Sequence, residues 1–250
     1  MPAYDFTGPR LFVEAALQPG AEIPLEKGPA HYLTHVLRLQ AGAELLAFNG
    51  RDGEWRVRLA GGKKSAALIL LEQTRPQTVA PNLHYLFAPL KHARLDYMVQ
   101  KAVEMGAAAL QPVLTQHTQV TRINRERMRA NAIEAAEQCG VLTLPEIGEP
   151  TPLAAAVAAL AAERVLIFCD ERADVSDPIA ALAAVRTSPP APLAVLIGPE
   201  GGFSVAEREL LLRRSRVVRL ALGPRILRAD TAAVAALALV QAVLGDWASQ

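Results

Sequence analysis

Along the first third of the chain the apolar positions come in short runs, at residues 10–13, 44–48, 55–59 and 67–71. Pro19-Gly20, Asn49-Gly50, Asp52-Gly53 and Gly61-Gly62 fall between them, and such pairs punctuate strands. Within 55–59 the apolar side chains alternate with Arg56 and Arg58, the period of a strand with one wet face. One stretch breaks the pattern: at 31–39, Leu33, Val36 and Leu37 fall at helical spacing. Several short strands so close together predict a small β-barrel, because closure removes exposed edges. Residues 74–81 carry two prolines and few large apolar side chains. They mark the boundary between a first domain over 1–73 and a second over 78–250.

From residue 83 the period changes. Strand-like runs at 83–87, 110–113, 164–169, 193–197 and 217–222 alternate with helical stretches at 95–105, 125–139, 152–162, 178–185 and 205–214. Thr151 before Pro152 reads as an N-cap with proline at the first helical position. Ser204 with Glu207 matches a capping box, and Gly106 and Gly140 sit where C-terminal glycines belong. This alternation predicts an α/β domain with a mainly parallel sheet covered by helices on both faces.

Composition narrows the class. The 250 residues, 51% apolar and 20% charged, suit a globular protein of two modest domains. The N-terminus lacks a basic segment followed by an apolar one, so it does not read as a signal peptide. The longest apolar stretch, 232–244, is shorter than the roughly 20 residues a membrane crossing needs. Cys139 and Cys169 lack metal or redox spacing and read as small buried hydrophobes in a reducing cytoplasm. No His/Cys/Asp cluster has zinc spacing, so no metal is expected. His92 and His117 have no partner that the sequence reveals. A net charge of +1 is silent about partners, but its distribution is not. Residues 140–204 carry eight acids against three arginines, whereas 205–230 carry seven arginines against three acids. Residues 91–139 add seven basic residues against five acids. Basic patches meeting a polyanion and scattered charge on solvated helix faces are both compatible with this.

Two loops concentrate the candidate chemistry. The run 193–197 ends in Gly198-Pro199-Glu200-Gly201-Gly202-Phe203, and the run 217–222 ends in Gly223-Pro224-Arg225-Ile226-Leu227-Arg228-Ala229-Asp230-Thr231. In open α/β sheets ligands sit beyond the carboxyl ends of strands, where glycine lets backbone approach them. The spacing matches neither a dinucleotide fingerprint nor a phosphate loop. A tight turn needing positive φ is the competing account of the glycines. Strands consecutive in sequence are usually neighbours, which predicts that the two loops share one pocket. Leu222, Ile226 and Leu227 suit a flat ring, Arg225 and Arg228 an anion. Asp230 and Thr231 also read as an N-cap for the last helix.

These loops, with Gln100-Lys101-Ala102-Val103-Glu104-Met105-Gly106, Glu134-Ala135-Ala136-Glu137-Gln138-Cys139-Gly140 and His35-Val36-Leu37-Arg38, resemble the RsmE family along essentially the whole chain. Asp230 and Met105 stand where that family more often has Glu and Leu. The family comprises bacterial small-subunit ribosomal RNA uridine-N3 methyltransferases that use S-adenosylmethionine. The resemblance implies a PUA-like N-terminal β-barrel and a SPOUT-type, trefoil-knotted C-terminal α/β domain that forms a homodimer. It implies a cytoplasmic enzyme acting on small-subunit ribosomal RNA within an assembled subunit. It places the cofactor at Leu196, Gly198, Glu200, Gly201, Gly202, Leu220, Leu222, Gly223, Ile226, Leu227 and Thr231.

Methylation at N3 displaces a proton and puts negative charge on the uracil ring, which a cation stabilises. Arg228 is the first candidate for that cation, Arg10 the second, and Asp230 a candidate base or a cap. RNA contacts are expected at Arg10, Arg38, Arg51, Arg56, Arg58, Lys63 and Lys64, and in the basic segment 122–129, with Arg122 and Arg125 foremost. Alternatives are a methyltransferase of another RNA, a metabolic enzyme binding a nucleotide cofactor at the same loops, and an RNA-binding module without a cofactor.

Overall fold

The computed structural model describes residues 8–62, 65–120, 122–173 and 177–249. Two compact units emerge: the chain up to Ala80 together with Ala136–Leu144, and Pro81–Ala135 together with the chain from Pro145 onward.

The first unit holds β1 (Arg10–Phe12), β2 (Glu22–Pro24), α1 (Lys27–His31), β3 (Glu44–Phe48), β4 (Glu54–Ala60) and β5 (Ala67–Arg75). They form a curled sheet of order β1-β3-β4-β5-β2, antiparallel except for the β1–β3 pair. On β4 Trp55, Val57 and Leu59 are buried while Arg56 and Arg58 face out, so the alternation read from sequence is the alternation found. The core includes Leu33, Ala47, Val57 and Leu68, none of them measurably exposed. Two expectations change. The helix begins four residues early, at Lys27, and gives way to a π-helical turn over Tyr32–Val36. β5 runs to Arg75, through the first part of the expected boundary, because Glu54 binds both the Arg75 guanidinium and the Thr74 hydroxyl.

The second unit holds β6 (Leu83–Phe87), α2 (His92–Glu104), β7 (Ala109–Leu114), α3 (Arg125–Cys139, its last turn grouping with the first unit), β8 (Glu146–Ile147), β9 (Thr151–Pro152), α4 (Leu153–Ala159), β10 (Val165–Cys169), α5 (Pro178–Ala183), β11 (Leu193–Ile197), α6 (Val205–Leu212), β12 (Val217–Leu220) and α7 (Ala229–Val243). The sheet order is β12-β10-β11-β6-β7-β8, with β9 also on β7, and every pairing is parallel. Each β11 side chain is buried, as expected of a strand covered on both faces. The Ser204–Glu207 capping box forms, and Gly106 and Gly140 take φ of +78° and +70° past their helices. Thr151 is not a cap. It pairs with Val113 in β9, and Pro152 takes the N-cap position instead.

One difference in topology matters for function. β11 and β12 are not neighbours; β10 lies between them. The two glycine-bearing loops therefore flank a third strand end, Cys169-Asp170-Glu171.

Candidate functional site

The carboxyl ends of β10, β11 and β12 enclose a cleft of about 170 Å³. Gly198, Glu200 and Gly202 line it from the loop after β11, and Leu222, Gly223, Ile226 and Leu227 from the loop after β12. Leu220, Ala229 and Ala232 complete an apolar wall. The end of β10 contributes Cys169, Asp170 and Glu171, and α6 contributes Arg208. Ile226 stands 93% exposed on the rim. The charged lining comprises three carboxylates, Asp170, Glu171 and Glu200, against the guanidiniums of Arg208 and Arg225.

The loop after β11 needs its glycines for packing as much as for turning. A Cβ on Gly198 would come within 2.9 Å of the Phe203 ring, itself packed edge-on against Phe168. Gly202 has φ +66° and closes a turn by donating its N–H to the Pro199 carbonyl at 2.8 Å. The turn reading and the ligand reading thus hold for the same loop.

Asp170 is almost wholly enclosed, with 1% of its side chain exposed. Burial pushes its carboxyl up, but the Arg172 amide at 3.1 Å, Arg219 at 2.8 Å and Arg208 at 3.1 Å outweigh that. The group stays below the usual carboxylate range and remains charged. Its effect is to anchor Arg208 at the cleft wall. Burial pushes the Cys169 thiol up to about 12, so it is not a thiolate at neutral pH. Cys139 is exposed, not the buried hydrophobe expected of it.

Eight of the expected cofactor residues line the cleft: Gly198, Glu200, Gly202, Leu220, Leu222, Gly223, Ile226 and Leu227. Leu196 lies in the β11 ladder opposite Phe168 and Leu86, beneath the cleft. Thr231 is exposed on α7 outside the lining, and Gly201 lines a neighbouring cavity. The three expected catalytic side chains are elsewhere. Arg228 is the N-cap of α7 in extended backbone (φ −66°, ψ 153°) and is exposed. Leu227 and Ala229 line the cleft, and the exposed Arg228 between them does not. Asp230 is not the cap; it sits in the first turn of α7, its carboxylate accepting from the Thr231 amide at 3.0 Å.

Arg10 lies inside the first unit and not at a surface. Its side chain is 3% exposed, bonded through Nε to Glu54 at 2.8 Å, and it donates to the carbonyls of Ala136, Glu137 and Val141. A guanidinium so occupied is committed to holding the first unit together. The other expected RNA contacts are at the surface. Arg38 and Arg122 are exposed, and Arg51 donates to the Glu14 carbonyl at 2.9 Å. Arg56 pairs with Glu72, Arg58 with Glu44, and Arg125 with Glu149. Lys63 and Lys64 lie outside the described residues.

A second cavity, of about 450 Å³, opens beyond the carboxyl ends of β6 and β7. It shares Pro199 and Glu200 with the cleft, so the glycine loop walls both. Its polar lining is Lys91, Arg94, His117, Gln119 and Glu200, with Arg94 and Glu200 paired. Asp170, Glu171 and Arg208 escaped sequence reading, and His117 showed there only as a histidine without a visible partner. Applying the strand-end rule to residues 164–169 as well would have found the first two; no local signal marks the others.

Residues 78–241 match the RNA methyltransferase domain model and residues 27–71 the RNA methyltransferase PUA domain model. A ribosomal RNA small subunit methyltransferase E from Synechocystis is 30% identical over 227 residues, covering 90% of this chain and 74% of its own. One of the same name from Rickettsia conorii is 29% identical over 234 residues, covering 93% of this chain and 94% of its own. Among solved structures, a Neisseria gonorrhoeae ribosomal RNA small subunit methyltransferase E bound to S-adenosylmethionine superposes with a TM-score of 0.83 at 25% identity. That match covers 94% of this chain and 97% of the other. The chain has a SPOUT-type methyltransferase domain and a PUA domain, and it belongs to the RNA methyltransferase family, in its small subunit methyltransferase E branch.

Proposed function

We propose that this enzyme transfers a methyl group from S-adenosylmethionine to N3 of a uridine in small-subunit ribosomal RNA. The observation that carries the reading is the cleft at the ends of β10, β11 and β12, in a domain whose SAM-bound relative superposes over nearly the whole chain. The lining fits the donor. Leu220, Leu222, Leu227, Ala229 and Ala232 form an apolar wall for an adenine ring. Three carboxylates against two guanidiniums suit a ligand whose sulfonium and ammonium outweigh its one carboxylate. At about 170 Å³ the cleft is smaller than the roughly 300–1,000 Å³ of pockets that bury a drug-sized ligand. A bound donor would have to reach the rim, where the exposed Ile226 side chain is placed to cover it.

Bound there, the donor supplies an electrophilic methyl carbon on sulfur. The chain's own part is to orient and to manage charge: Asp170 holds Arg208 against the wall, and Gly198, Pro199, Glu200 and Gly202 shape the mouth of the cleft. A thiol at about 12 gives Cys169 no part as a nucleophile, which fits transfer to nitrogen over transfer to a pyrimidine carbon. Arg38, Arg51, Arg56, Arg122 and Arg125 contact RNA phosphates, Arg56 and Arg125 exchanging weak surface ion pairs with Glu72 and Glu149 for them. The trefoil knot, the homodimer, the assembled small subunit as substrate and the cytoplasmic setting belong to the same reading. Calorimetric titration with S-adenosylmethionine, followed by mapping of modified uridines in ribosomal RNA treated with the protein, tests it. Heat on titration and one new N3-methyluridine are expected; no heat overturns the reading.

A further inference from the structure

We propose that the second cavity seats the acceptor uridine nucleotide, with Nε2 of His117 taking the N3 proton. The inference rests on the methyltransferase reading above. Methyl transfer requires donor and acceptor to be held in contact, and the two cavities share the wall formed by Pro199 and Glu200. At about 450 Å³ the second falls in the roughly 300–1,000 Å³ range of small-molecule sites. The charges divide as the chemistry demands. The donor cleft carries an excess of carboxylates, whereas the second cavity sets Lys91 and Arg94 against Glu200 alone, an environment for a phosphate.

His117 is oriented as a base. Its Nδ1 lies 3.0 Å from the Gly202 carbonyl oxygen. A carbonyl only accepts, so the ring hydrogen sits on Nδ1, and Nε2 of the neutral ring carries the lone pair. Gly201 makes room for this: a Cβ there would stand 3.2 Å from the His117 Cβ. The charged groups about the ring are Lys91 and Arg94 from the β6–α2 side, Glu200 and Glu171 beside the glycine loop, and Glu207 of α6, which accepts from the Gln116 amide at 2.7 Å. In the reaction the N3–H proton passes to Nε2 and the N3 lone pair forms the new bond to the methyl carbon. The breaking C–S bond leaves its electron pair on sulfur, and the imidazolium returns its proton to water.

His117→Asn retains an N–H for the Gly202 carbonyl and removes the base. In small ribosomal subunits supplied with S-adenosylmethionine, its methylation rate is expected to fall about 100-fold or more, the scale of a lost general base. Its residual rate should lack the acid-side decline that an imidazole base imposes, and calorimetry should show unchanged donor affinity. Gly201→Ala, whose Cβ would crowd the His117 side chain, should lower the rate by up to about 100-fold. Lys91→Ala should raise KM for subunits at unchanged kcat and reduce the salt slope of RNA binding by about one. If the wild-type protein gives no heat with the donor or modifies no uridine, the methyltransferase reading falls. If it does both and His117→Asn matches its rate and pH profile, that reading stands and the uridine seat with its base is overturned.

Discussion

Two buried carboxylates in this chain are each held between two guanidiniums, and they do different work. In the first unit Glu54 accepts from Arg10 at 2.8 Å and from Arg75 at 2.6 Å. The remaining donors of those arginines reach main-chain carbonyls: Ala136, Glu137 and Val141 for Arg10, Gly140 for Arg75. Arg10 also lies 4.4 Å over the Phe48 ring. In the second unit Asp170 accepts from Arg208 and Arg219. There the satisfaction is incomplete, since the Arg219 Nε is buried with no partner among the described residues. Arg208 faces a cleft and also lies 3.7 Å from Glu171. A network whose donors all end on backbone fastens a chain segment, here 136–141. One that ends at an open wall presents a charge to a ligand.

The largest test of this contrast is Glu54→Gln. Removing the counterion of two enclosed guanidiniums should cost about 3–5 kcal/mol, read from the urea midpoint at pH 7. The pH dependence has a definite sign. Burial pushes the Glu54 carboxyl up, but the bonds from Arg75 and Arg10 outweigh it and hold the group below its usual range. Its contribution is therefore complete above the ordinary carboxylate value and lost as pH falls through the lower folded value. The wild type should lose stability on that descent, and Glu54→Gln should not show this component.

Asp170→Asn should act differently. Exchanging a charged acceptor for an amide costs about 1–3 kcal/mol in stability, less than at Glu54. The larger change is expected in binding: S-adenosylmethionine affinity measured by calorimetry should fall about tenfold or more, as Arg208 loses its anchor. Equal stability losses at Glu54 and Asp170 with unchanged affinity would erase the distinction.

Neither network was legible in the sequence, although most of the fold was. Buried parallel strands read as apolar runs, so β6 and β11 were bounded to the residue, as was α3. The order of strands in space is not a local property, and the expectation that neighbours in sequence are neighbours in the sheet hid β10 between β11 and β12. With β10 hidden, nothing in the sequence set Asp170, Glu171 and Arg208 apart from the other charges counted over 140–204 and 205–230. Arg10 misled for the opposite reason. A basic residue at a strand start suggests a solvated cation, and only the return of 136–144 to the first unit encloses it. The glycine loops were legible because a strand end, a turn and a capped helix follow one another within a few residues.

At the surface both kinds of network give way to ion pairs that solvent screens. Arg56 and Glu72 are 48% and 59% exposed, and Arg56→Ala should change stability by no more than about 1 kcal/mol. If Arg56 exchanges Glu72 for a phosphate, the same variant should lower the salt slope of RNA binding by about one. A flat salt response in the wild type would remove the whole first-unit patch from RNA recognition.

The smallest expected effect belongs to the residue that sequence favoured most. Arg228 lies between Leu227 and Ala229, both in the cleft wall, yet it is exposed and outside the lining. It caps no amide, as α7 begins without a side-chain cap bond. Arg228→Ala should therefore keep donor affinity, and stability should move by no more than about 0.5 kcal/mol, as at ordinary surface positions. Methylation of small ribosomal subunits is the decisive readout. Lys91 and Arg94 line the proposed uridine seat whether or not Arg228 is present, so the rate should stay close to wild type. A fall of about 100-fold, the scale of a lost oxyanion-type donor, would instead mean that Arg228 meets the uracil ring.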